Sequence, residues 1–350
     1  MRIAMVSPPW IEVPPRGYGG IEWVVSLLTE ELVRRGHEVT LFATGDSVTS
    51  ADLEYFYAEG QTSRMHHTAP DSIHARLVVD ALGKAVGEGR PFDIVHDNTQ
   101  ALLVAFAPWL PCPTLHTLHG AAHPEALEFY GRFANTTNFN AISASQASDF
   151  PGLSVCGVVP NPIDVASFPF RADKQDYLLF LGRLFPDKGL HHALEVARRV
   201  GMPIKIAGKI DPGESADYFE AEIAPHLDGE SAEYLGQVSD EEKKALLAGA
   251  RATLFPIQWE EPFGLVMTES MACGTPVLAF RRGSVPEVVE DGVSGFIVDG
   301  SVEKMAEAVG RVSSLDPAEI RASAERRFSP GVVALAYERL YTRIVRGDRG

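Results

Sequence analysis

The sequence predicts an α/β fold of two successive units, each a parallel sheet with helices on both faces. Three observations predict it. Short apolar runs of strand length alternate with stretches of helical period along the whole chain. The alternation starts afresh after Pro160-Asn161-Pro162. The chain has 350 residues, about twice the ~150 of an ordinary domain.

The elements follow in order. Arg2-Ile3-Ala4-Met5-Val6-Ser7 is a short buried strand, and a loop rich in Pro and Gly runs from Pro8 to Gly20. Ile21, Val24, Val25, Leu28 and Leu32 then recur at helical spacing, and Arg34-Arg35 followed by Gly36 supplies the stop. Val39–Ala43 is a strand, 73–86 an amphipathic helix, and Phe92–His96 and Thr114–Leu118 are strands. Ala141–Ser143 reads as another. In the second unit, strands are expected over 177–181, 204–207, 253–255 and 277–279. Helices are expected over 191–200, 241–250, 266–272 and 302–312. A last amphipathic helix, 331–345, carries Val332, Leu335, Ala336, Leu340 and Ile344 on one side and is placed to pack back on the first unit. The expected domains are 1–168 and 169–327, with a C-terminal helical segment over 328–350.

Composition excludes several function classes. Apolar residues make up 45% of the chain and the net charge is -16, which rules out a nucleic-acid binder held by a general basic field. No apolar run reaches the length of a membrane span. The first residues lead straight into Pro8-Pro9-Trp10 without the apolar core of a signal peptide. Cys112, Cys156 and Cys273 are far apart and odd in number, which suits a reduced cytoplasm. Residues 1–168 hold 9 Lys+Arg and 18 Asp+Glu, so strong docking on an anionic membrane is not expected.

Parallel sheets bind ligands at the carboxyl ends of their strands, so the residues after each strand are the candidates for chemistry. Tyr18-Gly19-Gly20, just before a helix, reads equally as a flexible turn or as a loop that lets an anion approach the helix N-terminus. It is not G-x-G-x-x-G, so a nicotinamide site fits poorly. After the second unit's first strand, Arg183 offers a planar fork and Lys188 a point charge, both suited to a diphosphate. The strongest string is Glu260-Glu261-Pro262-Phe263-Gly264-Leu265-Val266-Met267-Thr268-Glu269, continued by Ser270 to Val277. It sets two carboxylates, Glu261 and Glu269, eight positions apart around a helix start whose amide N–H groups have no intrahelical partner. Carboxylates accept from sugar hydroxyls, and those N–H groups take a negative oxygen. His116, His119 and His123 have a spacing that suits metal ligation, but no D-x-D occurs and no metal site is expected. His96-Asp97-Asn98 reads equally as an acceptor-facing edge or a plain turn. Trp259 reads as packing more readily than as a stacking platform, and Ser143 and Ser145 lack the G-x-S-x-G of a serine hydrolase.

These strings resemble the retaining glycosyltransferases of family 4. The resemblance rests on the E-x7-E string, Met271-Ala272-Cys273-Gly274-Thr275-Pro276-Val277, Gly182-Arg183 with Asp187-Lys188-Gly189, Tyr18-Gly19-Gly20, Arg35-Gly36-His37-Glu38-Val39, His119-Gly120 and Asn161-Pro162-Ile163-Asp164, in order along nearly the whole chain. The opening from Val13 to Trp23 is similar to a branch that includes an avilamycin-pathway enzyme. The resemblance implies a GT-B fold, two Rossmann-like domains facing across a cleft, with a nucleoside-diphosphate sugar on the second and a hydroxyl acceptor on the first. It implies that Arg183 and Lys188 hold the diphosphate and that Glu269 accepts from the ribose. Glu261, supported by amides at Phe263, Gly264 and Leu265, would accept from the donor sugar. Gly19 and Gly20 would approach the phosphate, and His119 would line the sugar site. The implied reaction is metal-independent front-face transfer without a cofactor, in carbohydrate biosynthesis. A nucleotide-sugar epimerase, a phosphorylase and a non-catalytic sugar binder are the alternatives. Donor base, donor sugar and acceptor are not legible.

Overall fold

The computed structural model describes residues 1–17, 19–65, 67–99 and 102–347, so Tyr18 of the glycine loop and the last three residues lie outside the described part. The chain forms two compact units, Met1–Pro162 together with the chain from Pro330 on, and Ile163–Ser329. The divide falls a few residues ahead of the expected 168/169.

The first unit holds β1 (Arg2–Val6), β2 (Glu38–Ala43), β3 (Asp52–Tyr55), β4 (Ile94–Asp97), β5 (Thr114–Leu118), β6 (Asn138–Ala141) and β7 (Val155–Val158). They form one sheet in the order β3-β2-β1-β4-β5-β6-β7, parallel throughout. The second unit holds β8 (Leu178–Leu181), β9 (Ile204–Ala207), β10 (Ala232–Tyr234), β11 (Ala252–Phe255), β12 (Val277–Phe280) and β13 (Gly295–Val298). Its order is β10-β9-β8-β11-β12-β13, again all parallel. In each sheet the strand order reverses once, between β1 and β4 and between β8 and β11. A doubly wound sheet opens its ligand crevice at that reversal, beyond the carboxyl ends of the two strands.

Central strands are buried on both faces and therefore read as continuous apolar runs rather than alternating ones. The second core gathers Leu178, Phe180, Leu190, Leu194, Ile206, Leu254, Leu278 and Met305 between sheet and helices. In the first unit, one core lies between β1, β2 and the helices Gly20–Arg34 and Pro330–Val345, through Val25, Leu28, Leu32, Ile3, Met5, Val333, Tyr337 and Tyr341. The C-terminal helix thus completes the first unit, but on a face rotated from the expected stripe: Val333, Ala334, Tyr337 and Tyr341 are buried beside Leu340 and Ile344, while Val332 and Leu335 are exposed.

One expected strand is moved and one open reading is closed. The strand placed at Ala141–Ser143 lies at Asn138–Ala141, and Ser143 instead caps the helix Ala144–Asp149, its hydroxyl accepting from the Gln146 amide at 3.0 Å. His96 does not face a ligand. It sits in β4 with no exposure, sharing hydrogen bonds with the Tyr341 hydroxyl at 2.6 Å and with Thr117 Oγ1 at 2.8 Å. Tyr337 joins the same set, taking a hydrogen bond from Asn140 Nδ2 at 3.1 Å and sharing one with Thr117 at 3.3 Å. Burial holds the His96 imidazole neutral. At the rim, the Glu338 carboxylate receives Arg35 at 2.6 Å and His37 at 2.8 Å.

Tyr341→Phe removes a hydroxyl and leaves a fully buried imidazole nitrogen unpaired. Urea unfolding should show a loss of about 1–3 kcal/mol; an unchanged midpoint would mean that another donor takes over.

Candidate functional site

At the second reversal, β8 delivers Gly182 and Arg183 and then the tight turn Pro186–Lys188. Gly189 closes the turn at φ 73° and starts the helix Leu190–Val200. Only glycine fits: a Cβ there would stand 2.1 Å from the Pro256 carbonyl oxygen. Pro256 opens the loop after β11, so the two loops at the reversal are pressed together. The Gln258 amide donates to the Asp187 carbonyl at 2.8 Å and the Gln258 side chain to that of Pro186 at 3.2 Å.

This seam brings Lys188 to Glu261. The ammonium donates to Glu261 Oε2 at 2.6 Å, with only 15% of the lysine side chain and 13% of the glutamate side chain exposed. Trp259 Nε1 donates to the same oxygen at 3.1 Å, and the ammonium stands 4.6 Å from the Trp259 ring centroid. The loop after β12 braces the string from the other side. Glu260 accepts from the Gly283 amide at 2.6 Å and from Arg282 at 3.3 Å, the Ser284 amide donates to the Glu261 carbonyl at 2.9 Å, and the Ser284 hydroxyl donates to the Phe263 carbonyl at 2.9 Å.

The remaining predicted residues fall around this pair. Arg183 is exposed, its guanidinium 5.2 Å from the Phe185 ring centroid, and among the described residues no carboxylate pairs with it. Gly264 is the left-handed cap, φ 75°, of the helix Leu265–Ala272, whose first turn offers amide N–H groups at Leu265 and Val266. The Phe263 ring is buried edge-on against Phe328, 5.7 Å between centroids, so this residue reaches a ligand only through its backbone. Glu269 is not joined to Lys188. It accepts from Lys243 at 2.8 Å, and Lys243 also meets Asp240 at 3.1 Å. Burial opposes the charge of Lys243, but Glu269 and Asp240 hold its pKa above the ordinary lysine value. Sequence reasoning missed Lys243 and the Arg282-Gly283-Ser284 brace, because neither lies in the string they support.

In the first unit, Gly19 precedes the helix Gly20–Arg34, and its carbonyl takes the first helical hydrogen bond from Trp23 at 3.1 Å. A Cβ on Gly19 would stand 2.7 Å from the Pro15 side chain, which explains the glycine without a ligand. Glu22, buried in that helix's first turn, has its pKa pushed up to about 7 by burial. His119 Nε2 meets Asn98 Oδ1 at 3.0 Å. Burial, aided by His116, pushes the His119 pKa down to about 3, so it is a neutral hydrogen-bonding group at pH 7. His116 does not join it as a ligand: its Nδ1 meets Asp97 Oδ2 at 2.7 Å and its Nε2 the Tyr130 hydroxyl at 3.2 Å. His123 caps the helix Pro124–Arg132. The three histidines thus have separate structural partners. Nearby, Asp71 Oδ1, His74 Nδ1 and Ser7 Oγ are buried without a hydrogen-bond partner among the described residues.

Two family descriptions match the chain: glycosyltransferase family 4 over residues 18–167 and glycosyl transferases group 1 over residues 165–327. A glycogen synthase of Mycobacterium tuberculosis is 28% identical, the match covering 100% of this chain and 96% of that one. A phosphatidyl-myo-inositol mannosyltransferase of Mycolicibacterium smegmatis is also 28% identical, over 97% of this chain and 89% of that one. Among solved structures, AviGT4, a glycosyltransferase involved in avilamycin A biosynthesis, superposes with a TM-score of 0.73 at 24% identity, covering 99% of this chain and 98% of that one. Anabaena HepE, in complex with UDP and glucose, gives 0.74 at 19% identity over 97% of this chain and 99% of that one. Two helix-covered parallel sheets of seven and six strands are the GT-B fold of these neighbours.

Asp71 supplies a stability test. Burial, with Asp97 adding to it, raises its pKa from 3.8 to about 6. Its contribution to stability is therefore complete below the unfolded value and is lost as pH rises through about 6. Asp71→Asn should flatten that fall and leave the variant more stable than the parent at pH 8 by about 3 kcal/mol. His74, pushed down to about 4 by burial, acts with the opposite sign in both proteins and cancels in the difference. Urea unfolding across a pH series reads the difference; parallel curves would place the Asp71 carboxyl in water.

Proposed function

Because the chain is a glycosyltransferase, a family 4 region followed by a group 1 region, we propose that it is a retaining, metal-independent hexosyltransferase. It moves the sugar of a nucleoside-diphosphate donor to a hydroxyl acceptor. The observation that carries this reading is the contact of Lys188 with Glu261 at the reversal of the second sheet. A cation for phosphate and a carboxylate for sugar hydroxyls stand within one hydrogen bond of each other, where a doubly wound sheet takes its ligand. A nucleotide sugar carries the two complementary groups in the same adjacency.

On this reading, Lys188 and the exposed fork of Arg183 meet the charge that grows on the departing diphosphate. Amides at the start of the helix Leu265–Ala272 add to them. Glu261 accepts from the sugar's hydroxyls and orients the ring as positive charge develops at the anomeric carbon. Glu269, steadied by Lys243, takes the ribose hydroxyls. Neutral His119 offers a hydrogen bond to the reacting sugar, and Gly19-Gly20 lets backbone approach a phosphate. A double displacement needs two carboxyls about 5–5.5 Å apart across the anomeric carbon, and Glu269 is committed to another partner. We therefore assign front-face substitution. The bond from anomeric carbon to phosphate oxygen breaks, the bond to the acceptor oxygen forms on the same face, and the acceptor's proton passes to the departing phosphate. The acceptor binds on the first unit.

Release of nucleoside diphosphate from UDP-, GDP- and ADP-sugars, with and without acceptors, tests the reading. Lys188→Ala and Arg183→Ala should each lose about 2–4 kcal/mol of transition-state stabilisation while still folding. Near-normal kcat/KM in both would remove the diphosphate from this edge. Glu269→Gln should raise the donor KM with little change in kcat, and Glu261→Gln should lower kcat; the reverse pattern exchanges their roles. Activity should survive EDTA. Loss on chelation with recovery on Mg²⁺ or Mn²⁺ would end the metal-free scheme.

A further inference from the structure

We infer that Trp259 is a positioning residue for donor binding, holding Lys188 with its ring face and Glu261 with its ring N–H. The inference rests on the donor site proposed above. One side chain touches both members of the pair with different parts of itself. The face lies 4.6 Å from the Lys188 ammonium, and the edge donates to Glu261 Oε2 at 3.1 Å. The carboxylate oxygen that the ring N–H reaches is the one the ammonium also reaches, at 2.6 Å.

The chemistry gives this triangle a task. Before donor binds, Lys188 and Glu261 neutralise each other. Donor binding replaces that bond with two others, ammonium to phosphate and carboxylate to sugar hydroxyl. Two charged side chains released in this way would regain their rotamer freedom. Each instead keeps one contact with Trp259. A cation over a ring face tolerates sliding out to about 6 Å from the centroid, so Lys188 can turn toward phosphate without leaving the ring. The N–H bond fixes one Glu261 oxygen and leaves the other to the sugar. Trp259 is itself anchored on both flanks: Gln258 to the Asp187 carbonyl at 2.8 Å, and Glu260 to the Gly283 amide at 2.6 Å. Phenylalanine supplies the face without the N–H, and leucine supplies neither, so substitution separates the two contacts.

The test is calorimetric titration of UDP, GDP and ADP, and of UDP-glucose, GDP-mannose and ADP-glucose, into the parent chain and the Lys188→Ala, Trp259→Phe and Trp259→Leu variants. Thermal melts run alongside check that each variant is folded. The nucleotide bound best by the parent is used throughout. Trp259→Phe should bind the nucleoside diphosphate within about twofold of the parent. It should lose about tenfold for the matching nucleotide sugar, equivalent to about 1.4 kcal/mol. Trp259→Leu should lose about tenfold for both ligands. A packing role would move both ligands together in Trp259→Phe, and that outcome overturns the inference. So does parent-like binding in Trp259→Leu while Lys188→Ala binds weakly. If Lys188→Ala itself binds as the parent does, or the parent binds none of the six, the donor site proposed above falls first. Melting temperatures of the tryptophan variants should stay within a few degrees of the parent's.

Discussion

The second unit's edge depends on one close approach, that of the Pro186–Gly189 turn to the backbone of Pro256. Two neighbouring strands of a parallel sheet, β8 and β11, send their chains to helices on opposite faces, which separates the loops that follow them. A residue without a Cβ, in a left-handed conformation, lets the loops touch again. Lys188 and Glu261 meet because of that touch. A mostly buried ion pair contributes little net stability once both charges are taken out of water. The importance of this one lies in where it holds two groups of opposite chemistry.

Supporting contacts run outward from the pair in layers. Trp259 touches both members. The Arg282-Gly283-Ser284 loop fixes the backbone on which Trp259, Glu261 and Phe263 are strung. Lys243 fixes Glu269 one helix away. Such backing sets side-chain rotamers before a ligand arrives, so less ordering remains to be done on binding.

Much of this was legible in the sequence, and the reasons are specific. Central strands such as β4, β5, β11 and β12 carry dense apolar runs because both their faces are buried, and their positions were read to within a residue or two. The edge strands β3, β7, β10 and β13 were not read. They are three or four residues long and partly exposed, too short for a run or an alternation to stand out. β6 was misplaced because Asn138 and Asn140 interrupt its apolar pattern, and Asn140 is polar for a tertiary reason: its partner Tyr337 lies almost two hundred residues away. The site strings Gly182 to Gly189 and Glu260 to Glu269 were visible because turn glycines and charges cluster in them. Their geometry was not. No spacing rule says that Lys188 would rest on Glu261 or that Glu269 would turn to Lys243, since those contacts depend on strand order rather than on sequence distance. His96 stayed open between a ligand-facing edge and a plain turn for the same reason: what covers a histidine near a strand end is here a helix more than two hundred residues away.

That covering helix gives the chain a timetable. A ribosome delivers the first 162 residues long before it delivers Pro330–Val345. Until the last helix emerges, the first sheet shows water a face lined by Ile3, Met5 and Leu115 and set with the polar groups of His96, Thr117 and Asn140. The second unit, made of one continuous segment, has no such wait. Domains generally fold from the N-terminus as they are made; here the unit that begins first is completed only after the second. The first unit's polar core atoms gain their hydroxyl partners only after the whole intervening stretch 163–329 has been made, so the first sheet keeps one face open for as long as the second unit takes to emerge.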